Sequence, residues 1–177
     1  MGSRRRTPAA EVIRLLEPTL LATTSPQVRA GVSRALGRML ACQREFDRAR
    51  ALYRAGVSLA REARMLRQAA AASDGMAFIE SRAGDIDAAV EVLHEGIAEL
   101  EAMGDAGFYS TQVCHLARLL VDQGKDDDAR TWLARARERM GSSDLDCVVQ
   151  VLGLEGLLAA RRGEQATESA GHARPCG

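Results

Sequence analysis

Apolar residues recur along most of this chain at steps of three and four, the spacing that gathers them on one face of an α-helix. The clearest run is Ala89, Leu93, Gly96, Ile97, Leu100 and Met103, closed by Gly104 as a C-cap signal. Upstream, Pro8 opens a predicted helix with Ile13, Leu16, Leu20 and Leu21 on one face, Thr7 as its cap, and a kink or end near Glu17 imposed by Pro18. Ser25-Pro26 starts the next, with Leu36, Met39 and Leu40 inward, and after a turn at Arg44 and Glu45 the positions Ala49, Leu52, Tyr53, Gly56, Val57 and Ala60 mark another. Met76, Ala77, Ile79 and Ala83 give a less regular stripe, weakened by Gly75.

The pattern continues in the second half. Asp105 or Ser110 is the expected cap of a helix carrying Val113, Leu116, Ala117 and Leu120, which Gly124 ends. Ala129, Trp132, Leu133, Ala136 and Met140 form the following face, with Gly141 expected to repeat the role of Gly104. A last helix, capped within 142–146, points Val148, Val151, Leu152, Gly156 and Ala159 inward and is expected to stop at Gly163.

These helices are copies of a repeating pair. Gly84-Asp85-x-Asp87-x-Ala89 returns 40 residues later as Gly124-Lys125-x-Asp127-x-Ala129, and Arg44 to Ala49 fits the same frame 40 residues earlier. A period of this size is the signature of stacked helical hairpins, which bury their faces against their neighbours. The frame divides the chain into a half unit over 8–24, units over 25–64, 65–104 and 105–141, and a half unit over 142–163. Residues 1–7 and the tail 164–177 lack an apolar stripe and are expected to be disordered. Small residues (Gly37, Ala77, Ala117 and Gly156 in the first helices, Ala49, Ala89 and Ala129 in the second) fall where two backbones must approach closely.

Composition narrows the reading. The hydrophobic fraction is 46% but the aromatic fraction only 3%, so the core must be built of small and aliphatic side chains, as in closely packed helices. Formal net charge is zero, which removes the electrostatic footprint of a general nucleic-acid binder, and no apolar run has the length of a membrane span. Arg4-Arg5-Arg6 precedes an apolar segment interrupted by Glu11, Arg14 and Glu17, which excludes a twin-arginine leader and leaves a cytoplasmic protein as the expectation. Cys42, Cys114, Cys147 and Cys176 are too widely spaced for a zinc site or a disulfide framework, so a structural role is expected.

Leu116-Ala117, Leu120, Gly124, Ala129, Leu133 and Ala136, with their counterparts in other units, resemble the tetratricopeptide repeat (TPR) pattern. Glu101-Ala102-Met103-Gly104-Asp105-x-Gly107-Phe108-x-Ser110-Thr111, then Leu119 and Gly124, Asp144-Leu145-Asp146 and Ala159-x-Arg161-Arg162-Gly163 are similar to the C-terminal repeat region of large actinobacterial ATPases. Those proteins join a signalling ATPase module to an adenylate or guanylate cyclase domain or to a DNA-binding output domain. The resemblance implies an all-α fold, a right-handed α-solenoid of antiparallel helix pairs, and a protein-interaction or regulatory role. The chain has no phosphate-binding glycine loop, cyclase carboxylates or helix-turn-helix, so none of those activities carries over. The half units at both ends fit a piece or a relative of such a region.

In TPR folds the first helices line a concave groove. Here that face would present Arg34, Arg38, Asp74, Phe78, Arg82, Thr111, Cys114, Arg118, Asp122 and Arg161. Five arginines against two aspartates favour an acidic peptide or a carboxylate, since guanidinium and carboxylate pair bidentately, although a solvated face of an Arg-rich protein shows the same residues. Cys114 and His115 point about 100° apart on a helix and are not joint metal ligands. Asp126-Asp127-Asp128 lacks the spaced ligands and closing Glu of a calcium loop and is better explained by the dipole of the helix it opens. No metal, cofactor or catalytic group is expected, because three scattered histidines assemble no nucleophile, base and orienter. The expectation is a non-catalytic binding module; the alternative is a small-molecule-sensing domain of a transcriptional regulator. The incomplete end units would leave apolar faces through which chains could self-associate.

Overall fold

The computed structural model describes residues 8–141 and 144–172, and among them it contains helices and no strand. In chain order these are α1 (Pro8–Ala22), α2 (Pro26–Cys42), α3 (Phe46–Glu62), α4 (Leu66–Ala71), α5 (Ser73–Ala83), α6 (Ile86–Ala102), α7 (Ala106–Asp122), α8 (Asp126–Arg139) and α9 (Leu145–His172). The chain divides into two compact units, one ending at Asp105 and one beginning at Ala106. In the first, α2 pairs with α3 and α5 with α6; in the second, α7 pairs with α8, and α9 packs on both.

The ends of the helices follow local chemistry. The Val28 amide donates to Ser25 Oγ at 3.4 Å, and Pro26 occupies the first turn, where a missing N–H costs nothing. Gly84, Gly104 and Gly124 each adopt positive φ just past a helix, so that the next amide reaches back to a carbonyl near the helix end; Asp105 N donates to Leu100 O at 3.0 Å. Arg44 and Arg64 hold the same left-handed geometry, at φ 65° and 61°, although they carry a Cβ.

Several expectations need correction. Pro18 lies inside a continuous α1 rather than ending it. Thr19 Oγ1 donates to Leu15 O at 3.2 Å, and no residue of α1 is buried, so water can reach the carbonyl that Pro18 leaves without an amide. Ser110 lies within α7, one turn past its start, with Oγ donating to Ala106 O at 2.9 Å. Gly141 does not repeat Gly104: α8 already ends at Arg139, and Met140 leaves in an extended conformation. Helix α9 runs through Gly163 to His172, because a glycine lowers helix propensity without dictating a stop. Thr7, residues 1–7 and residues 173–177 lie outside the described residues.

The irregular stripe before Gly84 resolves into α4 and α5, broken at Ala72. The cause is Tyr53 of α3, which is 3% exposed and whose hydroxyl donates to Ala72 O at 2.8 Å. Its ring fills the space beside Gly75, where an added Cβ would lie 2.1 Å from the Tyr53 hydroxyl oxygen. Burial pushes the Tyr53 phenol up to about 12, with Asp74 adding to the shift and Arg34 and Arg38 opposing it. A raised folded-state pKa leaves stability intact below the unfolded value near 10 and removes it as pH rises through the folded value. The unfolding free energy measured by urea titration is therefore expected to fall between about pH 10 and pH 12, by up to roughly 2–3 kcal/mol. Tyr53→Phe should flatten that fall; an identical slope in the variant would refute it.

Close approach explains the small residues of the first repeat. A Cβ on Gly37 would meet Ala49 O and Tyr53 Cβ at 3.0 Å, and one on Gly56 would meet Ala30 O at 2.9 Å. Ala49, Ala89 and Ala129 are all fully buried.

Candidate functional site

The ten candidate positions fall five in each compact unit. In the first unit, α2 carries Arg34 and Arg38, and α5 carries Asp74, Phe78 and Arg82. Arg38 Nη1 donates to Asp74 Oδ2 at 3.0 Å, and its guanidinium carbon lies 4.8 Å from the centre of the Phe78 ring. Arg82 stands over the same ring at 5.7 Å, so a half-buried aromatic is flanked by two cations. Arg34 is turned inward to the backbone, donating to Ala30 O at 3.3 Å and Gln68 O at 3.0 Å. Four of the five residues are thus brought together, while Arg34 fastens the end of α4.

In the second unit the candidates separate. Cys114 and Arg118 border a cleft of about 360 Å³ with His115, Gln150 and Leu154. Thr111 turns its hydroxyl to Gly107 O at 3.3 Å, one turn back on its own helix. Arg161 donates to Val121 O at 2.8 Å and to Asp126 Oδ1 at 3.1 Å, tying α9 to the α7–α8 turn. Asp122 is exposed at the end of α7. The picture of five arginines open to an acidic partner therefore needs correction: Arg34, Arg38 and Arg161 already satisfy carbonyl or carboxylate groups of this chain. Arg82 and Arg118 are exposed and make no ion pair among the described residues.

Cys114 is buried, and its Sγ lies 3.5 Å from Sγ of Cys147, also buried, on α9. Burial pushes both thiols up, with the neighbouring carboxylates Asp144 and Asp146 adding to it. Both sulfurs therefore remain protonated near neutral pH and act as small apolar side chains rather than as nucleophiles or ligands. No group of three or more potential ligand residues that could hold a metal ion occurs among the described residues.

Two features were not anticipated from the sequence. One is an ion pair sealed against α5: Arg50 of α3 reaches Glu80 through Nε at 3.0 Å and Nη2 at 2.6 Å, with the Glu80 side chain only 7% exposed. The Glu80 hydrogen bonds hold the Arg50 guanidinium above its ordinary value. The other is a cleft of about 610 Å³ in the first unit, walled by Arg54 and Ser58 of α3 and by Glu91 and Glu95 of α6, with Met76 in its lining. Arg61 and Glu99 bridge these two helices at 2.8 Å. The acidic side of this cleft has a sequence signal, since Glu91, Glu95 and Glu99 recur every fourth residue on one helix.

No helix among the described residues is long and apolar enough to cross a membrane. No family model matches the chain, and no significant match was found among curated proteins. Among solved structures, the chain is similar to "Crystal structure of BtubC (BKLC) from P. vanneervenii", with a TM-score of 0.61 and 15% identity over 95% of this chain and 76% of that one. At that identity the likeness is one of fold alone.

Proposed function

We propose that this chain is a non-catalytic, cytoplasmic protein-interaction module, a TPR-like right-handed α-solenoid of antiparallel helix pairs. It is a relative or a piece of the C-terminal region of a signalling ATPase, cyclase or transcriptional regulator. The observation that carries the reading is the Arg38–Phe78–Arg82 cluster, an aromatic flanked by cations on first helices of successive repeats. Such a surface recognises a peptide that brings carboxylates and an apolar side chain together. Arg82, outside any ion pair among the described residues, is the group with charge to offer, and Arg118, one repeat beyond Phe78 in the second unit, is likewise exposed and outside any ion pair among the described residues.

The test is fluorescence anisotropy with a labelled Asp/Glu-rich peptide containing Leu and Phe. Binding should weaken about tenfold for Arg82→Glu plus Arg118→Glu, equivalent to about 1.4 kcal/mol, and should fall with added salt. Affinity unchanged in the double variant would reject the reading. A thermal-shift screen of small metabolites that stabilised the parent chain but not Arg118→Glu would favour the sensor reading through the 360 Å³ cleft instead.

A further inference from the structure

Helix α9 leaves open the face that its counterparts cover. Helix α7 starts at Ala106 and α9 at Leu145, so equivalent positions are 39 residues apart. In α7, Ser110, Val113, Ala117 and Leu120 are all buried in the unit where α7 pairs with α8; in α2, Ala30, Ser33, Gly37 and Leu40 are buried likewise. Their counterparts in α9 are Val149, Leu152, Gly156 and Ala159, and all four are exposed, Val149 by 68% and Leu152 by 57%. This overturns the expectation that Leu152, Gly156 and Ala159 point inward; Val151 does so as expected, joined by Cys147, Leu154 and Leu158. A Cβ on Gly37 would press on Ala49 and Tyr53 of α3, whereas one on Gly156 would meet nothing within 4 Å.

The chain also contains the shape that fits this face. Ala49, Tyr53, Gly56 and Ala60 of α3 are buried at the contact with α2, and 40 residues earlier α1 repeats the frame as Ala9, Ile13, Leu16 and Leu20. These four are only half-buried, since within its unit α1 packs on α2 from one side. We infer that α1 of a second copy docks on the outer face of α9, with its Ala9 and Ile13 over Gly156 as Ala49 and Tyr53 lie over Gly37, so that copies stack head to tail. Both faces are small and aliphatic, as in the hairpin contacts inside the chain, so the same close packing serves between copies. The contact joins two different surfaces, and each added copy presents another open α9. The inference takes only the repeat register from the proposed function; a chain that binds acidic peptide yet stays monomeric would sink stacking and spare that reading.

Sedimentation velocity of the full chain across a hundredfold concentration range tests it. The parent should grow past a dimer with concentration. Gly156→Arg, where an added Cβ meets nothing within 4 Å, and Ala9→Arg, at a half-buried position in the first turn of α1, should each be monomeric with the parent's helical circular dichroism. Mixed, they should form a one-to-one dimer and stop there, because each retains the face the other has lost. A parent that is monomeric throughout would overturn the proposal. So would association of Gly156→Arg alone, which means that some other surface pairs, or a mixture that stays monomeric.

Discussion

Replacing Arg50 with Ala is expected to lower the unfolding free energy by about 3 kcal/mol, one of the two largest single-site effects in this chain. Glu80 is 5% exposed, and its carboxylate receives three hydrogen bonds from Arg50, from 2.6 to 3.0 Å. Removing the guanidinium leaves a carboxylate with little access to water and no strong partner, and that desolvation cost is what the experiment reads. Replacing both residues with Met removes the charge as well as its partner, and the double variant should return to within about 1 kcal/mol of the parent. Arg61 and Glu99 make a control, since that pair is exposed and its loss should cost less than about 1 kcal/mol. Urea denaturation of the four proteins decides: a cost for Arg50→Ala no greater than that for Arg61→Ala would show that the buried pair is compensated by water.

Gly75→Ala should cost a similar amount, about 3 kcal/mol, by overpacking rather than by charge. The added Cβ would lie 2.1 Å from the Tyr53 hydroxyl oxygen and 2.5 Å from the ring carbon that bears it. Tyr53 has little freedom to move, because it packs with Leu40, Ala49 and Ile79 and its hydroxyl is committed to Ala72 O. Combining Gly75→Ala with Tyr53→Leu should therefore be milder than the sum of the single changes by about 1–2 kcal/mol. Strict additivity in thermal or urea unfolding would disprove contact between the two sites.

The break between α4 and α5 shows why some of the fold was legible and some was not. Gly75 marked a weak helix, but its use became clear only when α3 brought Tyr53 against it from 22 positions away. The arginines tell the same story for the candidate site. Position on the repeat frame put Arg38 beside Phe78, because residues one repeat apart on successive first helices become neighbours, and Arg82 follows Phe78 one turn later on the same helix. It could not show that Arg34 and Arg161 turn to backbone carbonyls, since a long side chain selects among whatever acceptors its surroundings bring within reach.

Taken alone, the sequence determined the all-helical class, the 40-residue recurrence, the helix ends at Gly104 and Gly124, and most of the positions meant for close helix contact, Gly156 excepted. All of these are local: periodicity and cap chemistry act within one or two turns of chain. Only the tertiary structure decided which matching faces are covered. Leu152 and Gly156 have the pattern of core residues and are exposed, while Glu80, a carboxylate in the frame slot that Leu40 and Leu120 fill, is buried only because Arg50 arrives to pair with it. Burial belongs to a pair of surfaces rather than to one residue, so it follows from which helix arrives opposite.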